Sequence, residues 1–284
     1  MIPLKPNPSE TSIIHHIRSS LRACFKGKSA TIIDSLVKAI VAVTLGLRVA
    51  HLIDVAHVTS DQINQLIILL RQEPQCQPLI VLQFKDRYTF LCHRYELEQH
   101  VETTLTHPNQ WVYINVRGKQ GPPSQHPCPD ILLSWLQQRL KLYLLSFHEQ
   151  KQPSPVYYSS VVPCYMVVLT GFLLEYPILY MTHEEDVGLD QELDEWEMVP
   201  NCLGDRSLVL TRLWLHEPTF WQDYMLMSFT CPEQNDLPEQ HPTITTKSGF
   251  ETKFRTRLDR CRPYFTHTRL EISRELKKLD RVAL

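Results

Sequence analysis

Residues 155–183 read PVYYSSVVPCYMVVLTGFLLEYPILYMTH, and what surrounds this stretch in space decides what kind of protein the chain makes. From Pro155 to Leu174 it carries no charge, and tyrosines flank the run as they do at bilayer interfaces. Roughly 20 such residues are enough to span a membrane as a helix. Against a span stand the polar opening YYSS, the two prolines Pro163 and Pro177, and Glu175. In lipid, a broken helix beside a carboxylate leaves backbone groups and a charge without partners. The stretch therefore reads as the interior of a protein. A short helix over about 164–174 leads into a strand YPILYM at 176–181, with the rest of the chain wrapped around both.

Outward toward the C-terminus come an acidic run between Glu184 and Glu197, then two strands, LVLTRLWLH (208–216) and DYMLMSFTC (223–231). Residues 232–247 are Pro-rich and irregular. The tail 248–281 reads as helix broken at Pro263, with Ser248 and Glu251 at capping-box spacing. Toward the N-terminus, residues 129–149 form a long, mostly buried helix. The segment 118–129 is a loop by composition, WVYINV (111–116) a strand, and 78–93 a hairpin turning at Lys85-Asp86. A helix over 60–72, capped by Ser60, follows LRVAHLIDVAHV (47–58), which lacks alternation and reads as a strand buried on both faces. Helices over 30–45, closed by Gly46, and over 9–25 complete the series, and residues 1–8 are irregular. The pattern predicts an α+β (mixed α/β) fold: one layered domain over 1–284, with a central mixed or mainly antiparallel sheet and helices packed on it.

Composition removes several function classes. Lys and Arg number 29 against 31 Asp and Glu, a net charge of −2, so nothing draws the chain as a whole to nucleic acid or to an anionic membrane. Only 8 glycines occur, and no G-x-G-x-x-G or G-x-x-x-x-G-K-[ST] is among them, so the common nucleotide loops are absent. None of the 8 cysteines is at C-x-x-C spacing, which argues against structural zinc and a dithiol redox pair. MIPLKPNPSE has no apolar core of a secretory signal, so reduced thiols in the cytosol or nucleus are expected. No cofactor and no metal site is expected.

Three sets of residues, LIDVAHV (52–58), LTGFLLEYPILY (169–180) and the pair LVLTRLWL (208–215) with DYMLMSFTCPE (223–233), bring a family to mind. In these segments the chain resembles the vertebrate chromosome 1 open reading frame 74 proteins, an uncharacterised family. The resemblance implies one domain over most of the chain, and it brings no activity, cofactor or functional residue with it.

Candidate chemistry lies in ionisable residues set in apolar runs: His51 and Asp54, Glu175, and Arg212. A buried charge must be paired, reach water or form a site. Asp54, Glu175 and Arg212 meeting at one end of the sheet would make an acid/base or anion-binding cluster; a structural ion pair is the plainer outcome. Thiol and imidazole recur in Cys92-His93, in His126 with Cys128, and at Cys202, though scattered buried thiols account for these as well. His15 with His16, or His183 with the acids after it, are weaker metal-ligand sets. Residues 247–281 carry eleven Lys/Arg against five acids, which fits a docked helix with a wet basic face. The reading that results is a non-catalytic intracellular protein acting through contacts with protein partners. The alternative is an enzyme, possibly a hydrolase, built on Asp54, Glu175 and Arg212.

Overall fold

A computed structural model describes residues 8–55, 57–118, 121–149, 153–183, 187–192, 200–233, 247–280 and 282. The expectations for residues 1–7, for most of the acidic run and for most of 232–247 lie outside the described residues.

The chain opens with α1 (Pro8–Cys24) and α2 (Ala30–Thr44). Ile13, Ile17, Leu21 and Phe25 recur every fourth residue and bury one face of α1 and its exit. α2 begins where the Ser29 hydroxyl accepts from the Ile32 amide, and from Ala39 to Thr44 every residue is buried. β1 (Ala50–Leu52) and α3 (Ser60–Leu70) follow. Thr59 rather than Ser60 caps α3, in a reciprocal capping box with Gln62. The expected hairpin forms as β2 (Leu79–Phe84) and β3 (Tyr88–His93), turning through Lys85 at φ 47°.

β3 runs directly into α4 (Arg94–Thr106), with the His93 imidazole accepting from the Glu96 amide as its cap. Then come β4 (Val112–Asn115), β5 (Ser124–His126), α5 (Asp130–Trp135), a π-helical turn (Leu136–Leu140) and α6 (Lys141–Glu149). The stretch quoted at the outset becomes β6 (Val156–Ser159), α7 (Met166–Leu173) and β7 (Ile178–Met181). Tyr165, Met166, Leu169 and Phe172 are buried in the protein, and among the described residues no helix is long and apolar enough to cross a membrane. The last elements are β8 (Ser207–Glu217), β9 (Gln222–Pro232), α8 (Lys247–Cys261) and β10 (Arg269–Lys278).

The fold is α+β, as the sequence pattern predicts, with its strands divided among three sheets. The first is mixed, in the order β1-β3-β2-β6 with β2 and β6 parallel; the second, β10-β8-β9, is antiparallel; the third is β5-β4-β7, with β4 and β7 parallel. One apolar cluster joins α1, α2 and α3 to the inner faces of β8, β9 and α8. A second gathers α5, α6 and α7 against β2 and β3. The two ends of the sequence therefore share one core.

Three readings need correction. The strand expected over 47–58 is only three residues long. β1 pairs with β3 alone at the sheet edge, so His51 and Leu52 are half-buried, and the chain leaves the sheet at Asp54 and Val55, which are exposed. The tail is helical only to Cys261; Arg269–Lys278 is a strand paired along its length with β8. Its Leu270 and Ile272 alternate inward, and cross-strand packing outweighs the helix-like spacing of Glu271 and Glu275. Within the loop at 118–129, Ser124–His126 pairs with β4.

Candidate functional site

Glu175 directly follows Leu174, the C-cap of α7. The Tyr176 amide bonds back to the Gly171 carbonyl and the Glu175 amide to that of Phe172, the paired bonds of a Schellman motif. The residue at this position must be left-handed, and glycine is usual there; Glu175 has φ 59°. A side chain with a Cβ holds this conformation at a cost of roughly 1 kcal/mol or more. Its own bonds offset that cost. One carboxylate oxygen accepts from the Val49 amide at 2.9 Å and from Arg257 Nη1 at 2.7 Å, and the other meets Lys253 Nζ at 2.6 Å.

Arg257, on α8, bridges two carboxylates, for its other nitrogen lies 3.0 Å from Glu96 Oε2. Glu96, on the first turn of α4, also takes Arg260 at 2.8 Å. Gly46 backs this carboxylate closely: at φ +69°, a Cβ added there would lie 3.2 Å from Glu96 Oε1. Three cations thus face two carboxylates where α4, α7 and α8 meet. The anions are the inner layer, with side chains 0% exposed at Glu175 and 9% at Glu96. Lys253 at 34% and Arg260 at 53% are the outer layer.

Outside this cluster, α4 and α8 leave a groove of about 630 Å³. Its apolar lining includes Trp111, Phe250 and Pro177, while Lys253, Arg257 and Arg260 supply positive charge and Glu96 a negative one. Lys253 Nζ also stands 5.4 Å from the Trp111 ring, within cation–π range. His100 lines the same groove, stacked on Phe172 with ring centroids 4.3 Å apart. Its Nε2 lies 2.9 Å from the Phe172 carbonyl oxygen, which can only accept, so Nε2 carries the proton. Burial pushes the imidazole down to about 4; Lys253 and Arg257 add to the fall and Glu175 opposes it. His100 is therefore neutral near pH 7. Burial alone would raise the Glu175 carboxyl, but Lys253 and Arg257 outweigh it and hold the group well below the usual carboxylate range.

Of the three residues singled out in the sequence, Glu175 belongs to this cluster and Arg212 does not. Arg212, on β8, pairs with Glu275 across the antiparallel sheet at 2.5 Å. Asp54 is exposed where the chain leaves β1, and its charge reaches the Tyr176 hydroxyl. Among the described residues no hydrogen bond or ion pair joins Asp54, Glu175 and Arg212 to one another. The arginine that meets Glu175 is Arg257. His51, pushed down to about 3 by burial and by Arg48, is neutral.

The thiols are placed for packing. Burial raises Cys92 far above the ordinary thiol and pushes Cys128 up to about 11, with Tyr113 partly opposing the rise at Cys128. None of the eight cysteines is in a disulfide. His16 Nε2 reaches the Leu69 and Leu70 carbonyls at the end of α3, while His15 is exposed. Among the described residues no three His, Cys, Asp or Glu side chains gather as metal ligands. In the described part of the acidic run Asp190 pairs with Arg139 and Glu192 with Lys85, neither of which is on α8.

A family model, Domain of unknown function (DUF4504), matches residues 18–284. The chain belongs to this family. The match takes in every residue of the cluster, from Glu96 to Arg260. No curated protein and no solved structure matches the chain.

Sequence reasoning missed Glu96, His100, Lys253, Arg257 and Arg260. The buried stripe of α4 alternates apolar with polar residues (Glu96, Leu97, His100, Val101, Thr104), so its amphipathic signal is weak and the sequence pattern does not predict a helix there. The available signal was polar: Glu96, His100 and Thr104 recur every fourth residue on one helical face.

Proposed function

We propose that this protein works by binding rather than by catalysis, and that the α4–α8 groove receives an acidic segment of a partner protein. The observation that carries the reading is the layering of charge: Lys253 and Arg260 stand on the solvent side, and the carboxylates that hold them are buried behind. The outer layer offers donors to an incoming carboxylate, and Trp111 and Phe250 offer apolar contact beside them. A side chain locked in two ion pairs, as Glu175 is, does not exchange a proton near neutral pH, which weighs against the acid/base reading. Eight thiols outside disulfides fit a reducing compartment, the cytosol or nucleus. On the segments quoted earlier, we also assign the chain to the chromosome 1 open reading frame 74 proteins within its family.

The test is fluorescence anisotropy of a labelled Glu-rich peptide with the full-length chain. Expected is saturable binding that weakens with salt and falls about tenfold in Thr256→Glu and in Arg260→Glu, changes of roughly the size made by a like charge in a contact. Binding unchanged in both variants sinks the reading, as does equal or tighter binding of an RNA homopolymer.

A further inference from the structure

A second cleft lies on the far side of Tyr176, between α7 and β7 on one wall and β8 and β9 on the other. Its volume is about 560 Å³, within the roughly 300–1,000 Å³ of small-molecule sites. Val167, Ile178, Leu210 and Phe229 make its lining predominantly apolar. Six of its fifteen lining residues carry hydroxyls, and one of these, Tyr180, already donates to the Thr230 carbonyl at 2.9 Å. Such a lining suits a chain of methylene groups rather than a sugar or a nucleotide.

Tyr176 and Phe229, with ring centroids 6.1 Å apart, both border the cleft. Arg48 does not line it but is held behind Tyr176 by the backbone, since the amide of the next residue, Val49, bonds to the carboxylate of Glu175, the neighbour of Tyr176. The charge of Arg48 acts on the Tyr176 and Tyr224 hydroxyls. Arg48 is only 8% exposed, and its Nε has no hydrogen-bond partner. Among the described residues no ion pair joins it to a carboxylate. The other groups around it do not pair with it: His51 is neutral, the phenols of Tyr176 and Tyr224 are held protonated by burial, and Asp54, exposed at the end of β1, makes no ion pair with it among the described residues. The contrast with Arg257, equally buried and held by two carboxylates, is direct. A guanidinium this deep is costly unless an anion meets it.

We propose that this cleft binds an apolar carboxylic acid of the long-chain acyl type, its chain along the α7–β9 walls and its carboxylate directed past Tyr176 to Arg48. The site is separate from the α4–α8 groove, and neither reading depends on the other.

The test titrates the full-length protein with cis-parinaric acid, a fluorescent conjugated fatty acid, and with its methyl ester. Expected is saturable binding of the acid, about tenfold tighter than the ester, the size of effect one charge-assisted hydrogen bond makes. Thr170→Trp, which fills the cleft from α7, should weaken both ligands at least about tenfold by loss of apolar contact. Ser228→Phe, which fills it from β9, does the same where the α7 change disturbs folding. Arg48→Gln should remove the preference for the acid and leave ester binding in place. The proposal is overturned if neither ligand saturates, if acid and ester bind alike to the unaltered protein, or if the filled cleft binds as tightly as the open one.

Discussion

Glu175 and Arg212 are alike in sequence, each a lone charge in an aliphatic run, and they end in opposite surroundings. Glu175 closes α7 with its carboxylate sealed between Val49, Lys253 and Arg257. Arg212 lies on the outward face of β8, about a third exposed, and meets Glu275 in contact with water. The difference teaches that an ionisable residue in an apolar run marks a buried site only if the element ends there or both of its faces are covered. A strand with one wet face accommodates a charge every second residue.

The sharpest way to break this comparison is to remove charge from each partner. Glu175→Gln leaves Arg257 buried with half of its compensation and Lys253 without its carboxylate. We expect the stability measured by urea unfolding to fall by roughly 3–5 kcal/mol, the usual outcome of splitting a buried pair. A loss below about 1 kcal/mol would mean that solvent reaches the cluster.

Acid should sharpen the contrast, because the groups that respond are the buried ones. Glu175 has a folded pKa below its unfolded one, so its contribution is complete above the ordinary carboxylate range, declines once pH falls below that range, and is gone only below the depressed folded value. His100 titrates at about 4 in the folded protein against an ordinary 6.5. Between those values the unfolded chain binds a proton that the folded chain refuses, so stability falls as pH drops through that window and the loss is complete below it. His183, at about 4 through burial and then His126, acts in the same direction. Urea midpoints should therefore decline steadily from about pH 7.5 to about pH 5, and less steeply in His100→Gln. A flat profile in the unaltered protein would refute the neutral, buried imidazole.

The smallest effect is expected at the surface pair. Arg212→Ala should shift the urea midpoint slightly in dilute buffer and not measurably at high salt, since exposed pairs are screened. A loss matching that of Glu175→Gln would erase the distinction between the two regions.

Much of the architecture was legible. α1 follows from a 3.6-residue apolar period, and α2, the β2–β3 hairpin, α7 and the β8–β9 pair from apolar or β-rich runs bounded by glycine, proline and charged turn residues. β10 was not, because RLEISRELKK satisfies helical charge spacing and strand alternation equally, and only the presence of β8 alongside decides between them. α4 escaped for a different reason: its buried side chains are half polar, and polar burial makes no hydrophobic pattern.

The candidate site divides in the same way. Sequence alone determined that the charge-free run from Pro155 to Leu174 is interrupted by Pro163 and followed by a carboxylate, and that a carboxylate so placed needs a partner. Which partner was settled only by the fold. Arg257 lies 82 positions from Glu175 and Arg260 lies 164 from Glu96, so no local spacing connects them. A charge is screened and paired by what is near it in space, and that distance exists only once α8 has packed against α4 and the end of α7.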